Sequence, residues 1–214
     1  LAVNNKKLMK EGTSKLDNNL ARAKTKLKEY ALCNEWEYFC TFTINKELYD
    51  RHNLSKYYKD FAKFINNYNR YCTDDEKVKY ILVPEQHEDG AWHMHGLLRG
   101  IKKSELYINQ YGYIGWTKYE ERFGFISFGK IRNIEKTAHY VMKYITKDKV
   151  KNVTDLGNHI YYCSKGLKTG ELLYRGKCQL KNGCEWDFVT DDGFCKLKYF
   201  KINDNISQYV DIMV

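Results

Sequence analysis

Residues 77–99 constrain the fold more than any other stretch of this chain. Two strand-like runs, KVKYILVPEQ (77–86) and WHMHGLLR (92–99), flank the five residues His87-Glu88-Asp89-Gly90-Ala91. Branched and aromatic residues on either side of a Gly-containing polar break signal an antiparallel hairpin. Its register matters, because a slip of one residue turns every side chain to the opposite face. On the second run His93 and His95 project together, while Trp92, Met94 and Gly96 face the other way. Loop length then decides what stands beside the histidines. If the loop is Glu88-Asp89-Gly90 with Gly90 in the left-handed position, His87 faces Ala91 and Glu85 lies opposite His93. A two-residue Asp89-Gly90 loop would bring Gln86 there instead. A carboxylate suits a hard cation better than a carboxamide does, so the chemistry favours the three-residue loop. Glu85, His93 and His95 are the candidate metal ligands, with His87, one step nearer the turn, as a fourth or substitute ligand. A wet surface hairpin that merely contains histidines is the plainer alternative.

The remaining patterns supply a sheet for the hairpin and helices to cover it. The run EYFCTFTI (37–44) reads as a buried strand. Between 54 and 70, Leu54, Tyr57, Tyr58, Phe61, Phe64, Ile65 and Tyr68 follow the helical period, as a crossover helix packed on a sheet does. Residues 111–116 and 125–131 look like further strands, 102–109 is ambiguous, and 133–148 is the second strong helix. This order predicts an α+β fold, a central antiparallel sheet with helices packed on one face. Residues 1–30 form a basic helical segment, with Leu20, Ala23 and Leu27 on one stripe and Arg22 and Lys24 mostly off it. Residues 31–150 are the core. Residues 151–214 extend the same domain, with strand-like runs at 159–164 and 194–202 that have no evident place in the sheet.

Thirty-six Lys and Arg against 27 Asp and Glu leave a formal charge of +9, which points to a polyanionic partner. No apolar run approaches the roughly 18 residues of a spanning helix, and the first residues lack the apolar region of a secretory signal, so a cytoplasmic protein without membrane attachment is expected. The 7 Cys include no CxxC pair. Cys178, Cys184 and Cys195 form a loose cluster for which free thiols are the plain reading and structural zinc the alternative. No GxxxxGK[ST] phosphate loop occurs, so no nucleotide cofactor is expected.

The helical segment 133–148 contains HYVMKYITKD. Ile134, Ala138, Val141 and Ile145 form its narrow apolar stripe, and Tyr140, Tyr144 and Lys147 cluster on a neighbouring face with Lys143 at its edge. Two phenols at i and i+4 reach one point in space. A phenolate can attack a phosphodiester when a metal polarises the phosphate and a lysine stabilises developing charge. Aromatic pairs at this spacing are also ordinary packing devices. A competing Tyr-x-x-Lys at Tyr162–Lys165 lies in a strand-like segment between Gly157 and Gly166 and is set aside.

In order, Phe39-Cys40-Thr41-Phe42-Thr43, His93-Met94-His95 and Tyr140-Val141-Met142-Lys143-Tyr144-Ile145-Thr146-Lys147 resemble the three motifs of HUH rolling-circle replication initiators. The two-tyrosine spacing looks most like initiators of small single-stranded DNA phages and related phage or plasmid replication proteins. The resemblance spans residues 37–148. It implies a palm-like, RRM-like sheet, with Glu85, His93 and His95 binding Mg²⁺ or Mn²⁺. It implies a site-specific nickase and strand-transferase in which Tyr140 or Tyr144 attacks, leaving a 5′-phosphotyrosyl enzyme and a free 3′-OH. Lys143 and Lys147 match the motif lysines. Expected partners are origin single-stranded DNA, presented as a hairpin, and a host helicase and polymerase. Thr41, Thr43, Arg22 and Lys24 are the candidate DNA contacts. The competing readings are a non-catalytic single-stranded nucleic-acid module with an RRM-like sheet and a 2-His-1-carboxylate iron oxygenase; the positive charge and paired tyrosines disfavour the second.

Overall fold

The computed structural model describes residues 15–146 and 158–171, together with strands at 178–180, 188–191, 196–199 and 210–212. Contacts divide the chain into two compact units, Leu1–Gly170 and Glu171–Val214. In the first unit, strands β1 (Tyr38–Thr43), β2 (Lys79–Gln86), β3 (Trp92–Arg99), β4 (Leu106–Ile108), β5 (Ile114–Trp116), β6 (Ile126–Lys130) and β7 (Tyr162–Cys163) form a single sheet. Every pairing is antiparallel. The spatial order is β4-β5-β6-β1-β3-β2-β7, which puts β1 at the centre with the hairpin strand β3 beside it. The ambiguous stretch 102–109 resolves into a short 3₁₀ turn and β4, and part of the run 159–164 becomes the edge strand β7.

Helices α1 (Lys15–Cys33), α2 (Leu54–Tyr68) and α4 (Ile134–Met142) pack on this sheet, with the single-turn α3 (Thr117–Glu120) following β5. They do not share one face as the sequence pattern suggests. Alternation along the strands feeds two separate cores. Tyr38, Cys40 and Phe42 of β1, Tyr80 and Leu82 of β2, and Trp92, Met94 and Leu98 of β3 meet Leu54, Tyr57, Phe61 and Ile65 of α2. Ile81 and Val83 of β2 and Leu97 of β3 meet Leu27 and Ala31 of α1 and Ala138 and Val141 of α4, with Ile145 just beyond that helix. Helical periodicity shows which stripe is apolar but not which side of a sheet it covers. The runs KYILV and WHMHGLL are accordingly apolar at both phases, the signature of strands covered on both sides. The four α2 residues are at most 2% exposed. Burial of each stabilises the fold by about 1.5–3 kcal/mol relative to leaving it in water.

The hairpin adopts the three-residue loop. The Gly90 amide donates to the His87 carbonyl and the His87 amide to the Ala91 carbonyl, both at 2.9 Å. Gly90 has φ +81°, and Glu85 pairs with His93. Asp89 braces the turn, accepting from the Ala91 amide at 3.0 Å and pairing with Arg51 at 2.9 Å. A side chain at position 90 would be strained in that conformation and would meet His52 at 3.2 Å. Gly90→Ala is therefore expected to lower unfolding stability by about 1–2 kcal/mol in urea titration. An unchanged midpoint would mean that the turn does not depend on the left-handed residue.

Helix α4 begins at Asn133, whose Oδ1 accepts from the Lys136 amide at 2.9 Å. It ends at Met142, earlier than the pattern over 133–148 suggests. The amides of Lys143, Tyr144 and Ile145 bond instead to the carbonyls three residues back, a tightened final turn. Ile145 and Thr146 are both β-branched and disfavour continuing the helix. Lys147 lies outside the described residues.

In the second unit β8 (Cys178–Leu180) pairs with β11 (Val210–Ile212), and β9 (Phe188–Asp191) with β10 (Lys196–Tyr199), which occupies the middle of the run 194–202. Cys184 and Cys195 lie outside the described residues. No helix among the described residues is long and apolar enough to cross a membrane.

Candidate active site

Three central strands present one polar row on the sheet face that carries α1 and α4. Glu85 of β2 pairs with His93 of β3, and His93 with Thr43 of β1. One step along, Val83 pairs with His95 and His95 with Thr41. Each threonine holds its neighbouring imidazole. Thr41 Oγ1 lies 3.1 Å from His95 Nδ1, and Thr43 Oγ1 lies 3.3 Å from His93 Nδ1. With Nδ1–H donating to the hydroxyl, each ring keeps its Nε2 lone pair for a cation, the arrangement by which outer groups orient metal-ligating histidines.

Glu85 and His95 converge, with Oε2 and Nε2 2.8 Å apart. Two atoms bound to one octahedral ion at about 2.1 Å stand about 3 Å from each other, so this pair is spaced as adjacent ligands would be. The third donor is less advanced. His93 stacks on His87 with ring centroids 3.9 Å apart, and among the described residues no three His, Cys, Asp or Glu side chains form a ready metal-binding group. Burial, then the neighbouring His87 and His95, lower the His93 pKa to about 4. It is a neutral imidazole at physiological pH, the form that binds metals. Two neutral nitrogens and a carboxylate on one row fit Mg²⁺ or Mn²⁺ in donor chemistry.

The two tyrosines meet this row from α4. The Tyr144 ring lies parallel to that of His95, 4.1 Å away and tilted by 8°. Its hydroxyl donates to the Tyr140 oxygen at 3.1 Å. Tyr140 packs edge-on against Phe39 of β1 and is 46% exposed. Burial, then the bond to Tyr140 and the charge of Glu85, raise the Tyr144 pKa above the ordinary phenol range. Lys143 Nζ stands 5.7 Å from the centre of the Tyr140 ring. The chain turn after Met142 thus leaves both hydroxyls beside the histidine row.

Other sequence candidates stand elsewhere. Arg22 is exposed and Lys24 half-exposed on α1, a helix that buries Leu27 and Ala31 beneath them. Tyr162 belongs to the opposite core, 5% exposed and stacked on Tyr58 at 3.8 Å. Sequence reasoning places Thr41 and Thr43 among DNA contacts and misses their bonds to the histidines; the available signal is their spacing on one strand, with the same period as the His pair. Phe39, which wedges against Tyr140 and His95, stands out in sequence only as part of a motif.

The family model described as a replication-associated protein of the ORF2 type matches residues 37–149, more than half of the chain, and takes in β1, the hairpin and α4. No curated protein and no solved structure matches the chain.

Proposed function

This chain belongs to the ORF2-type family of replication-associated proteins, and on that premise we propose that it is a metal-dependent single-stranded DNA nickase and strand-transferase that initiates rolling-circle replication. The observation that carries this reading is the parallel stacking of Tyr144 on His95, with the Tyr140 and Tyr144 oxygens 3.1 Å apart. In the proposed reaction a tyrosine oxygen loses its proton and attacks the phosphorus of a phosphodiester. The bond to the 3′-oxygen breaks, and that oxygen takes up a proton. The new ester to the 5′-phosphate is close in energy to the bond it replaces, so a free 3′-OH can reverse the step without a nucleotide co-substrate. Glu85, His95 and His93 would hold Mg²⁺ or Mn²⁺, which when bound polarises the scissile phosphate. Thr41 and Thr43 orient the imidazoles, and Lys143 adds positive charge beside Tyr140. A second tyrosine within reach allows another cut while the first remains esterified.

The test is incubation of the protein with Mn²⁺ and a labelled single-stranded oligonucleotide library, followed by denaturing electrophoresis. A DNA-labelled protein band resistant to denaturant is expected, with little formed from fully paired linear duplex. Specific binding of single strands with no covalent band in any metal would instead favour a non-catalytic binding module.

A further inference from the structure

The sheet face that carries the histidine row is covered over only part of its width. Helices α1 and α4 close over Ile81, Val83 and Leu97 on β2 and β3. Beyond β1, no helix among the described residues packs on this face, and the strands present aromatic rings separated by very small residues. His95 pairs with Thr41 and Thr41 with Ser127 of β6. The Thr43 amide bonds to the carbonyl of Phe125, which precedes the inward-facing Ile126 and so projects to the histidine side. On β4, Leu106 and Ile108 pair with Trp116 and Ile114 on the α2 side, and Tyr107, between them, projects to the histidine side opposite Gly115. A Cβ at Gly115 would fall 2.6 Å from the Tyr107 ring, so the ring lies directly over that backbone. Its hydroxyl donates to Glu120 Oε2 at 2.5 Å, which fixes the ring's direction. Phe125 is 46% exposed, Tyr107 39%, and Tyr113, just before β5, 52%. Over Gly129 of β6 there is open space.

We propose that Phe125, Tyr107 and Tyr113 form a stacking platform for unpaired bases that flank the scissile phosphate of single-stranded DNA. This rests on the reading of the neighbouring site as a DNA-cleaving one. At about 4.8 Å between strands, Phe125 stands about 10 Å and Tyr107 about 19 Å from β3, so the rings lead away from the reacting centre. Rings on a floor of Gly115, Ser127 and Gly129 leave flat slots that admit planar bases, where a protein partner would call for a continuous aliphatic patch. Exposed Lys130 and Arg132 at the end of β6 and the net charge of +9 complement a phosphate backbone. Every base has a ring face, so the platform holds single strands irrespective of sequence and rejects duplex, whose bases are already stacked.

The test uses the whole chain, with chelator present so that binding is read without cleavage. Phe125→Ala and Tyr107→Ala should each weaken anisotropy-detected binding of fluorescein-labelled oligothymidylate by about tenfold, while Tyr107→Phe, which keeps the ring, retains it. Oligonucleotides carrying 5-iodouracil should photo-crosslink to Phe125, Tyr107 or Tyr113. Alanine variants that melt like the parent yet bind as tightly would overturn the platform, as would crosslinks confined to other residues or a change in self-association in place of DNA affinity. Covalent adduct formation with unchanged affinity in Phe125→Ala removes the platform and leaves the nickase reading standing. Weakened binding in a protein that forms no adduct does the reverse.

Discussion

Replacing both Tyr140 and Tyr144 by Phe is expected to reduce oligonucleotide cleavage and covalent adduct formation to background. Each single substitution removes one nucleophilic oxygen, and at least one of the two should retain measurable nicking because the oxygens lie 3.1 Å apart beside the same histidine. Phe preserves the parallel ring contact with His95 and the edge contact with Phe39. What the double variant loses in the folded state is the hydroxyl pair, worth about 1 kcal/mol or less at a partly exposed position. Thermal unfolding and single-strand binding should therefore stay near those of the parent, which separates loss of chemistry from loss of structure. A double variant that still forms an adduct would place the nucleophile elsewhere.

The second large effect concerns the row beneath the tyrosines. Chelation, His95→Ala or Glu85→Ala should abolish cleavage, since Glu85 Oε2 and His95 Nε2 are the two donors already adjacent at 2.8 Å. Thr41→Val should act differently. It keeps the shape of the strand but removes the hydroxyl that meets His95 Nδ1, freeing the ring to turn. Loss of such an outer partner typically weakens metal affinity by roughly 10–100-fold, so the Mn²⁺ concentration for half-maximal cleavage should rise by that factor and saturating Mn²⁺ should restore the rate. Thr43→Val is expected to act in the same way through His93. If Thr41→Val lowered single-strand affinity with no change in Mn²⁺ dependence, the threonine would be a DNA contact and not a positioning residue.

Features set by local rules are legible in the sequence. Gly90 in a polar break specifies a three-residue turn, the turn sets the register, and the register places Glu85 opposite His93. The apolar stripe Ala138, Val141 and Ile145 likewise announces the docked face of α4. The side of the sheet a helix chooses is a long-range outcome, and periodicity carries no information about it, so the division of α2 from α1 and α4 emerges only in three dimensions. The end of α4 at Met142 is hidden because the i, i+4 pattern continues through Tyr144 while the backbone has changed to bonds three residues back. The threonine bonds to the histidines and the stacking of Tyr144 on His95 join residues about 50 positions apart, which no local window sees.

The most direct test of the central claim is to trap the protein on a labelled single-stranded oligonucleotide, digest it, and locate the nucleotide by peptide mass spectrometry. The proposed site requires the phosphodiester on the oxygen of Tyr140 or Tyr144, in a peptide from the end of α4. A nucleotide on Tyr162, which packs against Tyr58 in the opposite core, would contradict the account.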